Sequence, residues 1–398
     1  MRSTSSITEI RGCVNGTAFL EGATGSLWYV NAAGSVTHLA SSGVSEVQLG
    51  TDCGLVLFTT GELGVFRTHD KDYGSSTRFR IQGQFGLGHD EAPYAEIVHT
   101  GLTGVASIAG TESASFALMH NGDLYMAGST TDFCRGGSSL STMLLRESTP
   151  SPTYLRGVKM ELDRTDPGFG EFRLVREGVA RVAGGLGFAL TANLDGTLTH
   201  IGSAMTELGV APWYNENDPS SALVTMRLAK DRMVCVERDG TTWHLGARSA
   251  HGSSAPPVSY HFSYTQVWKK LDELLLDDIH LDENGGAIAL TPNSRVLSCC
   301  TGVVSKFGAW SHSTFHLFEN EQHGEQVALT HGASFIKQGV EWVSSYNDNP
   351  HAALTLRGET DQYCYTAMLH PADWQHVSQM QSLGLVDNDA IKAALALV

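Results

Sequence analysis

The chain has 398 residues, with 26 Lys and Arg against 42 Asp and Glu and a formal net charge of −16. Phosphate backbones are bound chiefly by basic side chains that release counterions, so this balance excludes general nucleic-acid binding. Glycine accounts for 43 residues and charged residues for only 17%, which excludes a long helical repeat, since each interior glycine costs a helix about 1 kcal/mol relative to alanine.

The opening MRSTSSITEIRGC lacks the apolar stretch of a secretory leader, and no run approaches the ~18 apolar residues of a membrane span. An intracellular soluble protein without a membrane partner is expected, cytoplasmic or nuclear, with an organelle or cilium left open. The seven cysteines (Cys13, Cys53, Cys134, Cys235, Cys299, Cys300, Cys364) form an odd set without a CxxC pair, which speaks against a disulfide framework or a structural zinc site.

AFLEGATGSLWYV (18–30) and VQLGTDCGLVLFTTGELGVF (47–66) each read as strands joined at glycine turns. GQFGLGHDEAP (83–93) follows, with Gly83, Gly86 and Gly88 close together. A phosphate cradle needs a helix N-terminus and a lysine or serine, whereas these glycines precede Asp90 and Glu91 and match neither phosphate-loop spacing. The segment therefore reads as architecture.

VASIAGTESASFALMHNGDLYMAGS (105–129) and VARVAGGLGFALTANLDGTLTHIGS (179–203) share one layout. Gly110 to Gly122 and Gly184 to Gly196 are both twelve residues, and Gly122 to Gly128 and Gly196 to Gly202 are both six. VTMRLAKDRMVCVERDGTTWHLGAR (224–248) keeps Gly240 to Gly246 at six. Asn121-Gly122 and Asp239-Gly240 are strong hairpin signals, so each copy reads as an apolar strand, a second strand, a turn and a third strand. Weaker copies at 279–302 and 340–368 bring the total to seven.

Two inserts, 129–172 and 251–270, exceed what a connection between copies needs. They carry Leu144, Leu145, Tyr154, Tyr260, Phe262 and Tyr264, more apolar residues than a plain linker holds, and are expected to make partner contacts and order on binding. Trp213 and Tyr214, in GVAPWYNENDPS, read either as a local packing plug or as an interface anchor. Trp28 and Trp243 read as core. His312, His316 and His323 lack an acidic partner at HExxH spacing, Cys299-Cys300 has no cationic neighbour to activate a thiol, and no GxSxG is present. No catalytic residue, metal or cofactor is expected, and the chain is not read as an enzyme. The C-terminal segment 371–398 reads as two short helices, with Ile391, Ala394, Leu395 and Val398 on one stripe.

The pattern of apolar-Ala-Gly, an alternating strand, Asp-Gly or Asn-Gly, a strand ending in Gly, then Gly-Gln-apolar-Gly-x-Gly before a proline resembles the repeat of the regulator of chromosome condensation family. The resemblance runs in outline from about residue 15 to about 370. It implies an all-β fold, a seven-bladed β-propeller over 1–370, whose glycines turn the chain where a Cβ would clash; the short helical extension at 371–398 follows it. The family's usual histidine after the glycine closing the first strand is missing at Gly110-Thr111-Glu112-Ser113 and at Gly184-Gly185-Leu186-Gly187, so the chain reads as a divergent member. The family's founding activity is nucleotide exchange on the small GTPase Ran, yet no segment aligns with its exchange loops and no basic tail is present. The function expected is a non-enzymatic interaction scaffold in a larger assembly, with a small-GTPase exchange factor and an organelle or ciliary assembly component as alternatives. The expected partners are proteins, a small GTPase or a large complex.

Overall fold

A computed structural model describes residues 7–13, 15–31, 35–50, 52–69, 83–89, 92–111, 114–128, 170–185, 188–202, 205–217, 223–228, 232–246, 259–262, 265–281, 287–299, 315–323, 325–329, 333–338 and 341–346. Among the described residues the strands pair into seven antiparallel sheets. Sheet 1 holds β1 (Ile7–Cys13), β2 (Gly16–Glu21), β3 (Ser26–Asn31) and β4 (Val36–Ala40). Sheet 2 holds β5 (Val44–Leu49), β6 (Cys53–Phe58), β7 (Leu63–Arg67) and β8 (Val98–His99). Sheet 3 holds β9 (Val105–Gly110), β10 (Ala114–Met119), β11 (Leu124–Gly128) and β12 (Arg173–Arg176), and sheet 4 holds β13 (Val179–Gly184), β14 (Ala189–Asn193), β15 (Thr197–Ile201) and β16 (Met205–Val210).

Two sheets are interleaved. Before β20 (Ser259–Phe262), sheet 5 forms from β17 (Leu223–Leu228), β18 (Arg232–Glu237) and β19 (Thr241–Gly246), and it is completed by β21 (Thr265–Leu275). Sheet 6 runs β22 (Asp278–Leu281), β23 (Ala287–Leu290), β24 (Arg295–Cys299), β25 (Phe315–His323), with β20 as a fifth, outermost strand. Sheet 7 holds β26 (Gln326–Leu329), β27 (Ala333–Gln338) and β28 (Glu341–Tyr346).

The first strand of each sheet touches the first strands of its two neighbours, in the order β1, β5, β9, β13, β17, β22, β26 and back to β1. Sheets set radially about such a ring make a β-propeller. The arrangement accounts for the continuous apolar runs of the middle strands: both faces of a blade lie against other blades, so polar alternation is lost. On β10, Phe116 and Leu118 pack with Val179, Ala189 and Ile201 toward sheet 4, while Ala117 packs with Leu55 and Leu57 toward sheet 2. The core is therefore a set of inter-blade layers, and a buried side chain such as Phe116 contributes about 1.5–3 kcal/mol.

The turn between second and third strands is the repeat's main device. Gly122, Gly196 and Gly240 occupy it in sheets 3, 4 and 5 at φ of +88°, +83° and +85°. Each donates its N–H three residues back, to Met119 O, Asn193 O and Glu237 O, and Asn121, Asp195 and Asp239 before them keep negative φ, so the connection is a three-residue loop, a type I turn followed by a left-handed glycine, and not a type I′ turn. Each glycine carbonyl accepts a hydrogen bond from the chain just past the outermost strand, from Val179 N at 2.8 Å, Ala211 N at 2.8 Å and Leu276 N at 2.9 Å. Gly25 and Gly61 do the same for Val44 and Val105. One residue thus turns the hairpin and steers the chain into the next blade.

At the opposite end the inner strands close on glycine. A Cβ on Gly184 would lie 1.9 Å from Gly110 O, and one on Gly50 would lie 2.7 Å from Thr111 O. The GQFGLG segment is architecture of the same kind. Gly83, Gly86 and Gly88 all have positive φ, Phe85 is fully buried, Gly88 N donates to Gly170 O at 3.0 Å, and the Phe172 ring fills the space beside Gly86.

Three readings change. Each complete blade has a fourth strand, which is polar and irregular in sequence and carries no turn signal of its own. Of the weak copy read at 340–368, the described residues 341–346 are the third strand of the sheet that opens at Gln326, and 347–368 lie outside the described residues. The two inserts are shorter than read. Gly170, Glu171 and Phe172 clamp the GQFGLG segment, and 259–270 holds β20 and the start of β21, whose backbone ladders sheets 6 and 5. The C-terminal segment 371–398 lies outside the described residues.

Candidate functional site

Five inner strands start with the same irregularity. The ladder skips one residue after Ile7, Val44, Val105, Val179 and Leu223, a β-bulge that re-aims the side chains following it. The residue two positions beyond the start is Glu9, Glu46, Ser107, Arg181 or Thr225, and the residue four positions beyond is Arg11, Gln48, Ala109, Ala183 or Arg227. In sheet 6, counted from Leu276, the same positions hold Asp278 and His280. Polar groups thus recur at equivalent places on otherwise apolar strands.

Several of them meet in the central channel. Arg11 Nε pairs with Glu9 Oε1 at 2.8 Å, and Arg11 Nη1 lies 3.1 Å from His280 Nδ1. His280 Nε2 is 3.1 Å from Asp278 Oδ2. Thr225 Oγ1 donates to Asp278 Oδ1 at 3.3 Å, with Arg227 Nη2 at 3.7 Å from the same oxygen and Arg227 Nε donating to Ile279 O at 3.1 Å. In sheet 2, Gln48 Nε2 donates to Glu46 Oε1 at 3.1 Å. Since β26 stands between β1 and β22 in the ring, the Arg11–His280 contact braces sheet 1 to sheet 6.

The network fixes the protonation of His280. An arginine can only donate, so Nδ1 accepts, and Nε2 carries the hydrogen that Asp278 accepts. Burial and the neighbouring arginines favour this neutral form over the pull of Asp278, bringing the His280 pKa down to about 4. Burial alone would raise the Asp278 carboxyl, yet His280, Arg227 and the Ile279 N–H outweigh it and hold the group below the usual carboxylate range. Burial raises Glu46 to about 7. Both nitrogens of His280 are engaged, and the one hydroxyl among the described members, Thr225, donates to Asp278 rather than to the imidazole. Its chemistry is that of a cross-brace rather than of a proton shuttle.

A second feature lies on the other side of the ring, between sheets 4 and 5. Past Ala211 the chain takes a longer route to β17 than the routes into β5, β9 and β13, and Trp213 and Tyr214 lie on it. Trp213 is 7% exposed within the core shared by Phe188, Leu198, Met226 and Cys235, and its ring meets Trp268 of β21 edge-on at 4.7 Å. Trp213 therefore fills space between two blades, as a packing plug does. Tyr214 is half-buried, its ring over Gly196, beside a narrow cleft also lined by Arg181, Asn193 and Leu223.

Of the other residues singled out in the sequence, Tyr260 and Phe262 lie on β20, while Leu144, Leu145, Tyr154 and Tyr264 lie outside the described residues. Trp28 stacks on His38 at 4.0 Å, and the Trp243 indole N–H donates to Glu237 Oε1 at 2.5 Å. Among the described residues no group of three or more His, Cys, Asp or Glu could hold a metal ion. Burial drives the Cys53 thiol up to about 12, which leaves it protonated. The channel residues went unnoticed in the sequence because the repeat was aligned on its glycines. The readable signal is a polar or charged residue at two fixed places after the inner-strand start in sheets 1, 2, 5 and 6.

With this geometry established, known structures can be set beside it. Yeast RCC1 (Prp20), solved with Kap60 bound, matches at a TM-score of 0.51 and 12% identity, covering 83% of this chain and 76% of that one. The shared fold is the β-propeller. Prp20p from Saccharomyces cerevisiae in a second structure gives a TM-score of 0.49 at 12% identity, over 83% of this chain and 78% of that one. Human WBSCR16 gives 0.39 at 14% identity over 58% of this chain, which spans 60% of WBSCR16's length. No protein-family model and no curated protein matches the chain.

Proposed function

We propose that this chain is a non-enzymatic protein-interaction scaffold, a divergent seven-bladed propeller of the regulator of chromosome condensation type that binds its partner through connections on one face. The observation that carries the reading is topological. In a ring whose inner strands run the same way, all connections from third to fourth strands leave one face. The longest connections belong to that class: from Arg67 to Val98, from Gly128 to Arg173, from Gly246 to Thr265 and from Cys299 to Phe315. Long connections on a rigid frame are where binding residues concentrate, and Leu144, Leu145, Tyr154 and Tyr264 all fall in them. The braced channel and buried thiols leave the interior a frame rather than a reaction site. A solved propeller of like fold has a protein ligand: yeast RCC1 (Prp20) was solved with Kap60 bound, which supports a protein partner.

Affinity purification of the full chain with mass spectrometry tests the proposal. A partner should co-purify, and should be lost when 129–169 is replaced by a short Gly-Ser connection that leaves Gly170 to Phe172 in place. Retention of the partner by the trimmed chain refutes the assignment to that face. Nucleotide release from Ran-type and other small GTPases should be unchanged by the purified chain; a many-fold acceleration would replace the scaffold with an exchange factor.

A further inference from the structure

The cleft between sheets 4 and 5 holds a cation that nothing among the described residues neutralises. Arg181 stands two residues past the start of β13, the position that in sheets 1, 2 and 6 holds Glu9, Glu46 and Asp278. Those three carboxylates are each engaged, with Arg11, Gln48 and the His280, Thr225 and Arg227 group respectively. Arg181 is not. Its Nε is buried with no hydrogen-bond partner among the described residues, and the one charged group that bears on it is a second cation, Arg238, in the turn between β18 and β19.

The neighbouring polar side chain cannot help. Asn193 lines the same cleft, but its Oδ1 already accepts from Arg176 Nε at 3.1 Å and Thr191 Oγ1 at 2.8 Å. Its Nδ2 donates to Thr197 Oγ1 and Thr199 Oγ1, both at 2.9 Å. Arg176 is itself neutralised by Glu207 at 2.6 Å. A partly buried guanidinium left unpaired beside a like charge is costly, and a bound oxyanion relieves that cost through charge-assisted, planar hydrogen bonds. The cleft's floor supplies apolar surface, with Tyr214 seated on the Gly196 turn and Trp213 beneath. The stretch that brings these aromatics there is an insertion between blades, on the face opposite the long connections.

We propose that this cleft binds a carboxylate of an acidic peptide segment on a partner protein, with Arg181 and Arg238 meeting the carboxylate and Tyr214 supporting the residue beside it. A nucleic-acid strand is disfavoured, because a chain of net charge −16 repels a continuous polyanion, whereas one carboxylate between two arginines is a local match. The proposal rests on the scaffold reading only in taking the ligand to be a peptide, and it is tested on the purified chain, independently of whether any cellular partner is captured.

The probe is a fluorescently labelled decapeptide of alternating Glu and Leu, titrated by anisotropy, with a Gln-for-Glu peptide and inorganic phosphate as comparisons. The acidic peptide should bind and change tryptophan emission through Trp213, and the Gln peptide should not bind. Arg181→Gln and Arg238→Gln should each weaken binding about tenfold or more, from the loss of a hydrogen bond to a charged group. Arg181→Lys should restore part of it, and Arg295→Gln, which removes an equal charge on sheet 6, should leave it unchanged. Arg181→Gln should melt no lower than the parent, since it removes an unpaired cation. Equal binding by the parent and both glutamine variants, equal binding of the two peptides, or binding of phosphate but not of the acidic peptide would each overturn the proposal.

Discussion

Replacing Gly184 by alanine tests whether the inner strands meet as described. Gly184 ends β13 against the end of β9, and an added Cβ would lie 1.9 Å from Gly110 O and 2.6 Å from Gly110 C. An ordinary carbon–oxygen contact is about 3.3 Å, so the new atom intrudes by more than 1 Å. The obstacle is backbone and cannot rotate away. Relief requires the inner strands of sheets 3 and 4 to part, which disturbs the layer that Ala109, Phe116 and Ala189 share. Overpacking of this kind costs about 1–3 kcal/mol, and an unyielding backbone puts Gly184→Ala at the upper end, about 3 kcal/mol. Gly101→Ala is the control. Its φ is +81° and no atom lies within 4 Å of the added Cβ, so only the conformational cost of about 1–2 kcal/mol applies. Urea unfolding followed by tryptophan fluorescence measures both. If Gly184→Ala costs no more than Gly101→Ala, the inner strands do not approach closely and the ring geometry is wrong.

Acidification should destabilise the protein through its buried histidines. The folded pKa values of His280 and His200 are brought down to about 4, in each case first by burial, so the unfolded chain takes up protons first. The stability these groups contribute is present above about pH 6.5 and lost as pH falls toward 4, by up to about 3 kcal/mol each. His280→Gln should flatten that limb of a stability-against-pH curve, and an unchanged limb refutes the assignment. Glu46 has the opposite sign: its folded pKa is raised to about 7 by burial, so its contribution is full below about pH 4.5 and fades as pH rises through 7. Glu46→Gln should therefore stabilise the protein by up to about 3 kcal/mol at pH 8 and leave pH 4.5 unaffected, as read by urea unfolding at the two pH values. Phe172→Ala removes the ring that packs against Gly86, Phe85 and the sheet 2 core. It should cost about 2 kcal/mol and speed proteolytic cleavage within 83–93; unchanged cleavage would mean that the clamp is not what holds the loop.

The β-class, the repeat and the hairpin turns could be read from the chain itself, because each depends on a few adjacent residues. Asn121-Gly122 and Asp239-Gly240 adopt their turns through local φ preference, and the six-residue interval to Gly128 and Gly246 measures one strand. Trp213 and Tyr214 were visible as an aromatic pair on a loop, but whether they faced a core or a partner depended on Trp268, which joins the loop only when sheet 5 closes. The channel is part local and part tertiary. Glu9–Arg11, Glu46–Gln48 and Asp278–His280 pair two residues apart on one strand, whereas the Arg11–His280, Thr225–Asp278 and Arg227–Asp278 contacts exist only once the ring brings distant strands together. The same holds for Arg181, which differs from its counterparts in what it fails to meet, and for Phe172, whose partner Gly86 lies across a long connection. Short-range torsional preferences set the blades, whereas charge neutralisation and close packing act between blades and appear only when the ring is complete.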